Sequence, residues 1–191
     1  MACEAVVLAA GRSSRAGGFK PALDCGGLPL LVRVVRAFSS VCRRIWVVTG
    51  FQGETVADLV SGEFGVQIVA NPAWEQGMFS SVRAGVARVS SERFFVTPGD
   101  LPLVTADLVE NLEKTVGSVV VPRWRGQSGH PILLDRCWVA AIESAEPGVT
   151  LRSVLAGAPR AYVAAADDSV LRDIDTCEDY EKLSGRFGRT E

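Results

Sequence analysis

Five short apolar runs dominate the first two-thirds of the chain: Ala5–Ala10, Ile45–Thr49, Val66–Val69, Phe94–Thr97 and Val119–Val121. None shows the regular polar alternation of a strand with one wet face. A run of this kind reads as a strand covered on both sides, which is the condition of a parallel sheet. Segments of helical periodicity lie between the runs. Pro29–Phe38 places Leu30, Leu31, Val34, Val35 and Phe38 on one face and turns Arg33 and Arg36 away from it. Glu54–Val60, Ser80–Val89 and Ala106–Val116 follow the same pattern, and Thr105 is the expected N-cap of the last. Strands alternating with helices predict a doubly wound, mostly parallel, Rossmann-like α/β sheet.

Beyond residue 122 the pattern loosens. A strand is expected at Pro131–Leu134, and helices near Arg136–Ser144, Val149–Leu155 and Cys177–Leu183. The terminal GRFGRTE is expected to fray. No internal repeat or linker divides the chain, so one domain over residues 1–191 is expected.

Composition excludes several classes of function. The formal net charge is −2, so a broad phosphate-coating surface for nucleic acid is not expected, and any anion site must be local. No apolar run reaches the length of a membrane span, and Glu4 stands where a signal peptide would carry basic residues. The five cysteines are scattered, odd in number and without a CxxC, which fits a reducing cytoplasm better than a disulfide framework or a zinc knuckle.

Ligands of such sheets bind beyond the carboxyl ends of the strands. This directs attention to residues 11–20, 50–53, 71–80 and 98–103. The first of these, at the end of MACEAVVLAAGRSSRAGGFK, combines Gly11, Gly17 and Gly18 with Arg12, Arg15 and Lys20. Glycines let backbone N–H groups approach an anion, and the cations balance its charge. The segment matches neither a P-loop nor a G-x-G-x-x-G fingerprint. On its residues alone, a phosphate site and an ordinary glycine-rich surface loop both remain open.

LAAGRSSRAGGFK resembles the nucleotidyltransferase signature L-A-A-G-x-S-x-R-M-G-x-x-K, with Gly11 and Lys20 at the matching spacing. NPAWEQGMFSSVRAG, PGDLPLV, GHPILL and DIDTCEDY follow in register. The set resembles the molybdenum cofactor cytidylyltransferases and their close relatives over nearly the whole chain. Ala16, Phe19, Leu101 and Cys177 depart from the pattern, and none of them removes a charge or a ligand. The resemblance implies a nucleotide-binding half at about residues 1–105 and an acceptor-binding half at about 106–185.

By that resemblance, Ala9, Ala10, Gly11, Arg12, Arg15 and Lys20 hold the triphosphate, with Arg15 and Lys20 assisting departure of pyrophosphate. Asp100 is expected to act in catalysis and, with Asp175, to bind Mg2+, an ion that takes hard oxygen ligands. Asp173 is a candidate partner or cap. Gln76, Gly77, Ser80 and Ser81 are expected around base and ribose, although either serine could instead be a helix N-cap. Ala10, where guanylyl-transferring relatives usually carry glycine, favours CTP over GTP.

Arg123, Trp124 and His130 are expected to bind the acceptor, a molybdopterin carrying molybdenum whose terminal phosphate attacks CTP. A role for Trp124 in the core stays open, as does a packing role for His130. A receiving molybdoenzyme is a further possible partner. Guanylyl transfer to the same cofactor, nucleotidyl transfer to a sugar or alcohol phosphate, and a non-catalytic cofactor carrier are the alternatives. Paired carboxylates beside Lys20 speak against the carrier.

Overall fold

The computed structural model describes residues 3–12, 18–146 and 148–187. Its centre is a sheet of β1 (Cys3–Ala9), β2 (Cys42–Thr49), β3 (Val66–Ala70), β4 (Arg93–Pro98), β5 (Val119–Trp124), β6 (Gln127–Ser128), β7 (Ile132–Asp135) and β8 (Ala161–Ala164). The order is β3-β2-β1-β4-β7-β5-β6, with β8 on β5. The first four strands run parallel, as expected from their apolar character; only the edge strand β3 is interrupted by a polar residue, the exposed Gln67. β7 runs antiparallel to β4 and β5, between which it lies.

The helices are α1 (Leu30–Arg36), α2 (Gly53–Val60), α3 (Met78–Val86), α4 (Ala106–Lys114), α5 (Trp138–Glu143), α6 (Leu151–Val154) and α7 (Cys177–Ser184). They cover both faces. Ala5, Val7, Ile45 and Val47 pack with Leu31, Val35, Val56 and Leu112 in one buried cluster. Their neighbours Val6, Trp46 and Val48 pack with Val82, Val86 and Ile142 in the other. Successive strand residues point to opposite faces, so both must be apolar. Each large side chain withdrawn from water this way contributes about 1.5–3 kcal/mol. Thr105 caps α4, accepting from the Leu108 N–H at 3.3 Å.

Four features depart from the sequence reading. Pro131–Leu134 forms an antiparallel strand, because β5, β6 and β7 fold back as a local antiparallel unit. β8 was not expected, although residues 161–166 are apolar throughout: Ala161 and Val163 are half-buried while Tyr162 and Ala164 are exposed. The carboxylate of Glu4 is fully buried at the start of β1 and is held by Trp46 Nε1 (3.1 Å), the Ser90 N–H (3.0 Å), Ser90 Oγ (2.8 Å) and Arg43 (3.0 Å). Burial alone would push its pKa up, but these donors prevail and hold it below the usual carboxylate value. Finally, GRFGRTE does not wholly fray, for Phe187 is buried against the core with the Arg33 guanidinium 5.7 Å from its ring.

Cys3, Cys25 and Cys42 are buried free thiols, and burial pushes the Cys25 thiol up to about 12. No helix among the described residues is long and apolar enough to cross a membrane.

Candidate active site

At the carboxyl end of β4 the chain turns abruptly at Gly99–Asp100, beside the end of β1. The Gly99 N–H donates to Leu8 O at 2.9 Å, tying the two strand ends together. A side chain at position 99 would bring a Cβ within 2.9 Å of Leu8 O, so glycine is required for this approach. The next residue, Asp100, is therefore delivered directly over the end of β1. Its own carbonyl accepts from the Ile174 N–H at 3.0 Å, which docks the distant Asp173–Asp175 segment on the same turn. Ile174 is fully buried, so its neighbours Asp173 and Asp175 share the opposite side.

Lys20 completes the arrangement. Its Nζ lies 2.8 Å from Asp100 Oδ2 and 3.0 Å from Asp175 Oδ1, joining residues 80 and 155 positions apart. The lysine side chain is 11% exposed, against 23% for Asp100 and 43% for Asp175. Burial would lower the Lys20 pKa, but Asp100 and then Asp175 outweigh it and raise it, so the ammonium is fixed. Burial, with the charges of Asp100 and Asp175, raises the pKa of Asp173. Asp100 Oδ1 is buried and has no hydrogen-bond partner among the described residues. Asp100 is thus largely enclosed, not exposed at a sheet edge as a plain turn residue would be.

These residues open into a cavity of about 460 Å³. Ala9, Ala10, Gly11, Arg12, Lys20, Gly77, Ser81, Asp100 and Asp175 line it, whereas Gln76 and Ser80 do not. Arg15 and Gly17 lie outside the described residues. The Arg12 guanidinium sits 5.1 Å from the Trp74 ring and 5.7 Å from that of Phe51, and it pairs with Glu75 at 2.9 Å. Ser80 and Ser81 do not cap α3, whose N-cap is Gly77. Instead Asn71 Nδ2 donates to Ser80 Oγ (2.9 Å) and Ser81 Oγ (3.0 Å), bracing the turn that borders the cavity. Asn71 and Trp74 were not singled out by sequence reasoning. The signal available for Trp74 was an aromatic residue beside a Gly-containing loop at a strand end.

A second cavity, of about 750 Å³, adjoins the first and shares Leu8, Met78 and Pro98 with it. His130 lines it. Burial pushes the pKa of His130 down, leaving a neutral imidazole whose Nδ1 has no partner among the described residues. Arg123 and Trp124 are not among the lining residues. Trp124 packs against the core, and Arg123 stacks 4.4 Å from the ring of Tyr162, which does line the cavity. Arg152 and Arg160 line it as well.

The sheet is that of solved nucleotidyltransferases. A nucleotidyl transferase from Methanothermobacter thermautotroptrophicus superimposes with a TM-score of 0.84 over 97% of each chain at 23% identity. Rv0371c of Mycobacterium tuberculosis, solved as a complex with manganese, superimposes with a TM-score of 0.77 over 97% of this chain and 99% of that one, at 20% identity. Residues 5–166 match the MobA-like NTP transferase domain. The molybdenum cofactor cytidylyltransferase of Escherichia coli K12 is 31% identical over 97% of both chains. The chain belongs to the MobA-like NTP transferase family.

Proposed function

We propose that this protein transfers CMP from CTP to the terminal phosphate of a molybdenum-carrying molybdopterin and releases pyrophosphate. The observation that carries this reading is the Lys20 ammonium held between Asp100 and Asp175 at the mouth of a cavity that adjoins a larger one. The likeness to the E. coli cytidylyltransferase supports the choice of base and acceptor.

In the proposed reaction an oxygen of the acceptor phosphate attacks the α-phosphorus of CTP, and the bond to the β-phosphate breaks. That phosphate is already ionised near neutral pH, so no general base is needed. Positioning and charge neutralisation supply the catalysis. Lys20 stays protonated and meets charge developing on the leaving pyrophosphate. Arg12 and, by the sequence resemblance, Arg15 add positive charge for the triphosphate. Ser81, on the braced turn that lines the smaller cavity, offers its hydroxyl to base or ribose, whereas Gln76 lies outside that lining and is given no part. His130, neutral, positions the acceptor.

The donor set suits Mg2+, which binds through one or two carboxylates plus substrate phosphates. Asp100, with a buried oxygen lacking a described partner, and Asp175 would hold it. When bound, the ion supplies positive charge to the phosphate oxygens. Among the described residues no cluster of three or more His, Cys, Asp or Glu side chains is placed to hold a metal unaided, which fits an ion held by two carboxylates together with substrate oxygens and water.

Pyrophosphate release, measured with CTP or GTP, with and without molybdenum-loaded molybdopterin, tests the reading. Release is expected with CTP and acceptor together. Release with GTP but not CTP, or no release with either nucleotide despite binding, would overturn it.

A further inference from the structure

The larger cavity has an uneven lining. Its walls are mostly apolar, with Val82, Val96, Val121 and Ile132 among them. Two arginines line it and no carboxylate does, in a chain whose net charge is −2. Both arginines are set in place by local structure. Arg152 lies within a capping box in which Thr150 Oγ1 accepts from the Ser153 N–H (3.1 Å) and Ser153 Oγ from the Thr150 N–H (2.9 Å). Its guanidinium makes no hydrogen bond or ion pair among the described residues. Arg160 Nη2 donates to Leu155 O at 2.9 Å, which fixes one edge of its fork and leaves the remaining donors available. A third cation, Arg123, rests on the ring of Tyr162 in the same wall. None of these groups borders the smaller cavity, whose own charges are Arg12, Lys20, Glu75, Asp100 and Asp175.

A cationic wall with no counter-charge, above apolar surface, fits a ligand with a flat or apolar body and an anionic group. An unpaired guanidinium is suited to an oxyanion because its planar fork can donate two parallel hydrogen bonds. We infer that Arg152 and Arg160 form the anion-binding element of the acceptor site and select acceptors by an oxyanionic group. This rests on the reading of the larger cavity as the acceptor pocket. Two parts of the proposed acceptor offer that chemistry, the phosphate ester and the oxo-molybdenum group.

The test is a titration of the full chain with molybdopterin, metal-free and molybdenum-loaded, repeated for Arg152→Ala, Arg160→Ala, the double variant and the corresponding Arg→Lys variants. Loss of a charged hydrogen-bonding group predicts that the double alanine variant weakens acceptor Kd about tenfold or more. Its Kd for CTP should change less than twofold, and acceptor binding should become less sensitive to salt. The lysine variants recover part of the loss. Weakening confined to the loaded acceptor assigns the oxo-molybdenum group, and weakening of both assigns the phosphate. Equal acceptor binding by the parent and double alanine chains would overturn the inference, as would a parent that binds neither acceptor. Lysine variants as impaired as alanine variants, with melting temperature falling in step, would overturn it too. Arginine-dependent acceptor binding without pyrophosphate release from CTP would instead contradict the transfer reaction and leave this inference standing.

Discussion

Replacing Lys20 with Met should expose how strongly the active-site charges are coupled. At an effective dielectric constant near 20, contacts of 2.8 and 3.0 Å are each worth about 6 kcal/mol of gross attraction. Most of that is offset by desolvation of the ammonium. Asp175, at 43% exposure, is further screened by water, so the Asp100 contact carries the larger share. The net destabilisation of Lys20→Met is expected to be about 2–3 kcal/mol at pH 7, below the figure for breaking a fully buried pair. The pH dependence has a fixed sign. The folded-state pKa of Lys20 is raised, so its contribution is whole below the unfolded value, about 10.4, and disappears as pH climbs through the folded value. Urea unfolding of parent and variant between pH 7 and 11 should show a deficit that narrows at the alkaline end. A deficit under about 0.5 kcal/mol at pH 7, typical of a neutral surface substitution, would show that the ion pairs do not form in solution. Pyrophosphate release by the folded variant should fall about 10²–10³-fold, the usual cost of one electrostatic donor.

Three further outcomes are expected. Glu4→Gln places an amide N–H2 among donors in a fully buried site and should cost about 2–4 kcal/mol in urea unfolding at pH 7. Because the Glu4 pKa is lowered in the fold, the gap between parent and variant should close as pH falls from above about 4.3 through the folded value. Thr176→Val removes a cap that accepts from the Asp179 N–H at 3.1 Å; it should cost about 1 kcal/mol in thermal unfolding and, by loosening the residue next to Asp175, reduce pyrophosphate release several-fold. EDTA should abolish pyrophosphate release, and Mg2+ or Mn2+ should restore it; full activity in excess chelator would remove the metal from the reaction.

β1, β2 and β4 were legible because burial on both faces forces apolar runs; β3, at the sheet edge, is interrupted by the exposed Gln67 and was legible from its place between two helical segments. β8 was passed over although residues 161–166 are apolar throughout, because it is short, rich in alanine and lies in the loosely patterned part of the chain. The reversal of β7 was hidden for another reason: direction is set by how β5 to β7 fold back on one another, and not by the composition of ILLD. In the site, Lys20 and Asp100 could be singled out by residue type and position after strand ends, and Asp175 by the family resemblance. That resemblance also implied that the two carboxylates meet; what the sequence did not display is the Ile174 N–H to Asp100 O bond and the Lys20 bridge that bring them together. Trp124 reads as an aromatic beside basic residues, yet it packs on the core, because a local sequence does not state which face of a strand turns inward. Arg160 escaped notice because an isolated arginine in a loosely patterned segment looks like a solvated charge.

The most direct measurement is a crystal structure of the protein with CTP and Mn2+, phased to reveal the metal by anomalous scattering. The expected result is one strong peak between Asp100 and Asp175, with the triphosphate in the 460 Å³ cavity beside Lys20. A metal peak away from both carboxylates, or a triphosphate seated in the larger cavity, would contradict the assignment of this junction as the site of nucleotidyl transfer.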